Sequence, residues 1–292
     1  SVIAGHYPRD STSAPVEVPD YVGRLGQSVR GLRLGRPVLP EQGLDAEVRQ
    51  RVEEAVALLE GQGAQVETIE LPHLDTSIET YYIVATAEAS SNLARYDGVQ
   101  YGYRPTNGGR GTDSPLLEMY LKTRTDGLGT EAKRRILLGT YVLSHGYYEA
   151  YYLKAMKVRT LLKRAFDEAF QTCDIIVIPT SPTPPFRLGE KLTDPLQMYL
   201  SDIYTISANL AGVPAVSVPC GRSTEGLPIG VQFLARPFAE DLLLQVAYAY
   251  EQATEWHLMK PRLQQTAHST QHTADSTPPP RPSPPSGGEG DG

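Results

Sequence analysis

Cysteine is scarce in this 292-residue sequence: Cys173 and Cys220 are the only two. Neither has a neighbour at the spacing of a zinc knuckle, an iron–sulfur site or a secreted disulfide framework, so a reducing, cytoplasmic setting is expected. Long apolar runs are missing too. Stretches such as Ile175–Ile178 fall far short of the ~18–20 residues that span a bilayer, and no membrane partner is expected. No signal-peptide pattern opens the sequence. An excess of basic residues is also lacking, with 27 Lys and Arg against 34 Asp and Glu and a net charge of -7. No global positive field therefore draws the chain to nucleic acid, and a tRNA would need a local patch or another subunit.

Short catalytic motifs are equally absent. The sequence holds no G-x-x-x-x-G-K-[ST], no G-x-G-x-x-G opening a helix, no H-E-x-x-H and no G-x-S-x-G, which excludes the nucleotide, zinc and hydrolase sites those patterns build. His6, His73 and His145 are scattered singly, and His257, His268 and His272 lie at or past the last helical pattern. Ser144 and His145 are adjacent, but consecutive helical side chains do not face each other. Cys220 has no basic neighbour to activate a thiolate and reads as a packed residue.

What is present is an α/β pattern. Residues 1–28 carry turn formers (Pro8, Pro15, Pro19, Gly23) and read as an extended connection that must pack beside something else. A β–α–β unit follows, with strands near 32–39 and 65–71 and a helix over 45–60. Asp45 is its N-cap, Val48, Val52, Val56 and Leu59 form its inner face, and Gly61 and Gly63 are stop signals. Parallel pairing of its strands is expected.

Helices are then predicted over 75–92, 114–123, 130–143 and 146–170, with a long loop between the first two. In the longest, Tyr148, Tyr151, Tyr152, Ala155, Val158, Leu162, Phe166 and Phe170 recur at helical spacing. Tyr147, Tyr148, Tyr151 and Tyr152 are accordingly expected to bury their rings rather than to stack on RNA. Ile175–Ile178 reads as a central strand buried on both faces. Strands over 214–218 and 229–234 are separated by the loop-like PCGRSTEGLP, and a last helix over 239–252 has Leu242, Val246, Ala249 and Tyr250 inside. Residues 261–292, rich in proline and glycine, are expected to be a disordered tail.

Four blocks occur in fixed order: EASSNLARYDGVQYGYR, EAKRRILLGTYVLSHGYYEAYYLKAMKVR, CDIIVIPTSPTPPFRLGE and SDIYTISANLAGVPAVSVPCG, the last followed by LPIGVQFLARPF. With the opening AGHYPRDSTS they resemble the C-terminal half of the amidase signature family, and within it the glutaminase subunits of tRNA-dependent amidotransferases. The resemblance spans about residues 3–260. It implies the amidase signature fold, a mixed β-sheet covered by helices on both faces, of which 1–260 would be the C-terminal part.

It further implies amide hydrolysis by a serine nucleophile, helped by a second serine and a lysine. No Gly/Ser-rich segment of the kind that carries them is present, so that trio is expected upstream of Ser1 and this chain alone is expected to be inactive. The opening itself reads as the interior of a longer chain.

By the same resemblance, the intact protein releases ammonia from glutamine, and the ammonia converts ATP-activated Glu-tRNA(Gln) into Gln-tRNA(Gln). The B and C subunits of the amidotransferase would complete a heterotrimer. ATP and magnesium would be used by the partner subunit, tRNA would be held mainly by the B subunit, and no metal or cofactor would be bound by this chain.

Free glutamine is a zwitterion, so selecting it calls for a cation facing the α-carboxylate and an anion facing the α-ammonium, and arginine's planar fork suits the first task. The positions that resemble these two in the family are Arg135, in EAKRRILLG, and Asp202, in SDIYTISANLAG. One of Tyr81 and Tyr82 matches a further substrate contact. Taken without the resemblance, Arg135 is one of three consecutive basic residues, and Asp202 reads equally well as a helix N-cap. Two other readings stand beside this one: a stand-alone amidase of another amide, which has no use for a zwitterion clamp, and a non-enzymatic scaffold.

Overall fold

The computed structural model describes residues 2–39, 43–105, 114–191 and 195–261. Its first compact unit is Ser1–Leu258. Of the expected tail, only Pro261 falls among the described residues. The turn-rich opening contains one helical turn, α1 (Tyr21–Arg24). Arg24 reaches Asp241 at 2.6 Å and Gln245 at 3.0 Å, so the opening packs beside the last helix.

The β–α–β unit forms as β1 (Arg33–Pro37), α2 (Ala46–Gly61) and β2 (Gln65–Ile69). Asp45 caps α2 by accepting from the N–H of Glu47 at 2.8 Å and of Val48 at 3.4 Å. Val48, Val52, Val56 and Leu59 are buried as their spacing requires, joined by Ala55. β1 and β2 pair in parallel, from Arg33 opposite Gln65 to Pro37 opposite Ile69.

A helical stretch follows, consisting of α3 (Ser77–Leu93), α4 (Pro115–Asp126), α5 (Thr130–Val142) and α6 (Lys154–Thr172). The chain then returns to the sheet with β3 (Ile175–Pro179). Two short helices, α7 (Pro195–Leu200) and α8 (Ile203–Ala211), precede β4 (Ala215–Arg222), β5 (Pro228–Ala235) and α9 (Glu240–Gln252).

The strand order is β2-β1-β3-β5-β4, parallel from β2 to β3 and antiparallel from β3 to β4. All five residues of β3 are buried, as four consecutive branched apolar residues predict for a strand covered on both sides. Its side chains alternate. Ile175 and Val177 join a core with α2 and α9, while Ile176 and Ile178 join one with Phe166 of α6 and Ala208 of α8. The expected mixed sheet with helices on both faces is therefore present. A third cluster, Ile78, Leu162, Ile206 and Leu210, ties α3 to α6 and α8.

Three expectations need correction. The segment 219–222 is strand, not loop: β4 and β5 form a hairpin whose register shifts between Pro219 and Gly221. Pro219 is tolerated because β4 is an edge strand. The helix expected from Gly146 begins instead as a π-helical turn over Tyr148–Leu153, before α6 proper. There Tyr147, Tyr148 and Tyr151 are 39%, 36% and 43% exposed rather than buried. They stack on one another, with centroids 5.8 Å apart for Tyr147–Tyr151 and 5.2 Å for Tyr148–Tyr152. Finally, the inner face of α9 is Leu243, Val246, Ala247 and Tyr250, with Leu242 and Ala249 only flanking it.

Candidate functional site

Arg135 reaches its place because α3 and α5 run in the same sense with almost nothing between them. Gly139, buried in α5, lies so close to the Thr86 carbonyl and to Ser90 of α3 that any Cβ would collide with backbone. Ser90 Oγ and Thr140 Oγ1 share a hydrogen bond of 3.0 Å across the same seam. One turn before Gly139, Arg135 Nη1 donates to the Tyr81 hydroxyl at 3.2 Å, and its Nε donates to Glu131 Oε1 at 3.0 Å. Tyr81 first, and Glu131 second, raise the pKa of the guanidinium above its ordinary value. The group is a half-buried, permanent cation.

Tyr82 lies about 100° further round the helix and serves a different partner. Its ring rests on that of Tyr199, with centroids 4.0 Å apart and planes at 42°. Burial, and then its hydrogen bond with Tyr199, push the Tyr82 hydroxyl well above its usual value. The rings of Tyr81 and Tyr82 meet edge to face at 5.2 Å. The tyrosine pair is therefore divided: Tyr81 bonds the arginine, and Tyr82 packs against Tyr199.

Asp202 occupies the N-cap position of α8, yet its side chain accepts no capping hydrogen bond. The structural alternative is thus right about position and wrong about use. Although the residue as a whole is exposed, partial burial raises its carboxyl above the ordinary carboxylate value, and the charge of Lys191 opposes that shift. Lys191 Nζ donates to Ser201 Oγ at 2.6 Å and lies 4.4 Å from the centroid of Phe186. A pocket of about 300 Å³, lined in part by Leu74, Leu200, Ser201 and Ile203, opens beside this turn. The helix behind Asp202 is firmly seated: Gln232 Nε2 donates to the Tyr204 carbonyl at 3.2 Å, and Arg159 Nε donates to that of Leu210 at 3.0 Å.

Of the four predicted residues, Arg135, Tyr81 and Tyr82 are in direct succession, and Tyr199 extends the row. Asp202 joins it through the main chain, where its N–H donates to the Tyr199 carbonyl at 3.1 Å. Among the described residues, no hydrogen bond or ion pair joins Arg135 to Asp202. Arg135 and Asp202 thus stand at the two ends of this succession of contacts.

Sequence reasoning missed Glu131, Tyr199 and Lys191. Glu131 could have been found as the residue four positions before Arg135 on a helix. Tyr199 and Lys191 lie in a proline-containing stretch without apolar periodicity, and no local signal marks them.

The two thiols and the Ser144 hydroxyl are inert or occupied. Burial, above all, pushes the thiol of Cys220 up to about 12 and that of Cys173 up to about 11. Ser144 Oγ donates to the Tyr141 carbonyl at 2.7 Å. Among the described residues, no three His, Cys, Asp or Glu converge as metal ligands, and no helix is long and apolar enough to cross a membrane.

The model of the Amidase family matches residues 1–244. The chain is 58% identical over 264 residues to the A subunit of the glutamyl-tRNA(Gln) amidotransferase of Thermodesulfovibrio yellowstonii, covering 90% of this chain and 53% of that protein. It is 54% identical over 264 residues to the corresponding A subunit of Syntrophus aciditrophicus, with the same 90% and 53% covered.

Among solved structures, the A subunit of the glutamyl-tRNA(Gln) amidotransferase of Thermotoga maritima is 38% identical with a TM-score of 0.65, covering 88% of this chain and 50% of that one. A bacterial aryl acylamidase of the amidase signature enzymes has a TM-score of 0.65 at 19% identity, covering 87% and 50%, which shows a shared fold. The chain spans about half the length of the curated relatives it matches.

Proposed function

The chain belongs to the amidase family, and on that premise we propose that it is the substrate-recognising half of a glutaminase subunit in a tRNA-dependent amidotransferase. The whole subunit breaks the terminal amide bond of glutamine with water, leaving glutamate and releasing ammonia. In this reading Arg135 takes the α-carboxylate, helped by Tyr81, and Asp202 takes the α-ammonium. Tyr82 and Tyr199 form the wall between them. The nucleophilic serine, its companion serine and the lysine belong to the part of the family fold outside this chain.

A single observation supports the choice of substrate: a half-buried arginine and a carboxylate without a capping bond flank one row of tyrosines. Opposite charges held apart suit a free amino acid and serve no purpose for a neutral or aryl amide. The relatives 54–58% identical to the chain bear the amidotransferase name, whereas the aryl acylamidase is 19% identical. We assign ATP activation, magnesium and most of the tRNA contact to a partner, the B subunit, with the C subunit completing a cytosolic heterotrimer.

Steady-state glutaminase kinetics of the complete enzyme test this. A lost hydrogen bond to a charged group is worth about 1.5–3 kcal/mol, so Arg135→Ala is expected to raise KM for glutamine roughly 10- to 100-fold and to lower kcat much less. An unchanged KM would end the reading. The isolated chain is expected to hydrolyse no glutamine above buffer, and turnover would reveal a nucleophile on it.

A further inference from the structure

Arg135 is not the only charged residue engaged at its end of the proposed clamp. Glu131, one turn earlier on α5, is held by two arginines. Its Oε1 accepts from Arg135 Nε at 3.0 Å, and its Oε2 accepts from Arg134 Nη1 at 2.6 Å. The two bonds fix the carboxylate itself, and it in turn fixes one edge of the neighbouring guanidinium. We propose that Glu131 is a positioning residue for Arg135, setting the edge of the guanidinium that is offered to the α-carboxylate of glutamine. This rests on the reading of Arg135 given above.

A guanidinium has five N–H groups in a planar fork. Glu131 takes the one on Nε, and the Tyr81 hydroxyl takes one on Nη1. One Nη1 hydrogen and the two on Nη2 remain to meet a carboxylate, as charge-assisted donors. Two fixed points define the plane of the group before any ligand arrives. Without Glu131 the guanidinium keeps only the Tyr81 bond and can turn about its last torsions, so ligand binding must also order it.

The opposing effect is electrostatic. Glu131 is an anion beside a site for an anion, and its charge weakens the pull of Arg135 on a carboxylate. The two effects are separable, because Glu131→Gln keeps the acceptor oxygen and removes the charge. If orientation dominates, Glu131→Gln binds substrate as well as the parent or better, while Glu131→Ala binds it worse. A plain surface ion pair predicts neither result. The side chains of Glu131 and Arg134 are about half exposed, 48% and 47%, and such pairs contribute little to stability.

The test uses the complete enzyme and compares glutamine with 4-aminobutanamide, which keeps the amide and the ammonium but lacks the α-carboxylate. Glu131→Ala should raise KM for glutamine about two- to fivefold, the range of an exposed charged pair, with kcat nearly unchanged. Glu131→Gln should leave it at or below the parent value, and neither should alter KM for 4-aminobutanamide. Circular dichroism and thermal midpoints establish that both variants are folded.

The inference is overturned if Glu131→Ala leaves or lowers KM for glutamine, if Glu131→Gln behaves like Glu131→Ala, or if the loss is equal for both substrates. Arg135→Ala separates the two levels. When it raises KM and Glu131→Ala does not, only the role of Glu131 falls; when Arg135→Ala has no effect, the clamp falls with it.

Discussion

Replacing Gly139 with alanine sets two magnitudes against each other. In a helix interior, alanine is favoured over glycine by about 0.8–1 kcal/mol, so propensity alone predicts a stabilised protein. The structure predicts the reverse. A Cβ at position 139 would collide with the Thr86 carbonyl and stand 2.7 Å from Ser90 Cβ, and backbone cannot swing aside as a flexible side-chain tip can. Overpacking costs typically about 1–3 kcal/mol, and a rigid obstacle puts this site in the upper part of that range.

The net loss is about 1–2 kcal/mol, or a fall in thermal midpoint of roughly 2–8 °C for a domain of this size. Gly61, at the end of α2, is the internal control. Nothing lies within 4 Å of a Cβ there, so Gly61→Ala should gain up to about 1 kcal/mol. Thermal denaturation followed by circular dichroism measures both. Because Arg135 lies one turn from Gly139, forcing α5 off α3 should also raise KM for glutamine in the complete enzyme. A Gly139→Ala protein that melts at or above the parent temperature would refute the close approach of α3 and α5, and with it the account of how Arg135 is placed.

Two further outcomes concern titration. Both thiols have pKa values raised by burial, to about 11 for Cys173 and about 12 for Cys220. Their contribution to stability is complete below the unfolded thiol value near 9 and is lost as pH rises from there through the folded values, by at most about 1.4 kcal/mol per pH unit for each thiol. Urea midpoints measured from pH 8 to 11 should therefore fall less steeply for Cys220→Ala than for the parent, and parallel curves would refute the assignment. Neither cysteine should react with a thiol reagent at pH 8 until the protein unfolds. Asp174 behaves oppositely. Arg33 Nη2 and the Arg33 backbone N–H donate to it at 2.8 Å and 2.9 Å, and these bonds, the guanidinium contact foremost, hold its carboxyl below the ordinary value. Its contribution is present above the usual carboxylate pKa and disappears as pH falls through the depressed one. Asp174→Asn should flatten the acid limb of the stability profile, and an unchanged limb would refute the pairing.

What was legible in the sequence follows from how local each cause is. The valines of α2, the Asp45 cap and the branched run of β3 declare themselves through neighbours a few residues away, and each was readable. The helix α8 was not, because IYTISANLA mixes β-branched, small and polar residues. It is stabilised by distant partners, with Arg159 and Gln232 bonding its carbonyls. The tyrosines of 147–152 misled for a related reason. Helical spacing says which side chains share a face and says nothing about whether another layer covers that face. Arg135 and Asp202 were visible only by resemblance, since a charged residue on a helix looks alike whether solvated or employed. The pairing of Tyr81 with Arg135 across 54 positions depends on a glycine seam that no periodicity reveals.

The proposed clamp takes its two charges from different layers of the fold. Arg135 rides on α5, which touches the rest of the molecule mainly through α3. Asp202 stands at the start of α8, whose Tyr204 and Ala208 pack on the sheet beside Ile176 and Ile178. A site that must match the fixed separation of a carboxylate and an ammonium needs a stiff spacer between such layers. The spacer is the cluster beneath the tyrosines, where Leu162 of α6 is fully buried between Ile78 of α3 and Ile206 and Leu210 of α8. Tyr82 and Tyr199 lie over it with their rings in contact. Rings have few rotamers and close-packed interiors yield little, so the tyrosine wall of the proposed clamp is stiff before any ligand arrives. A zwitterion that fits gains both contacts without first ordering the wall, and a molecule with one charge gains only one. Discrimination of a free amino acid from a peptide amide would then reside in the rigidity of the α3–α6–α8 packing as much as in the charged groups themselves.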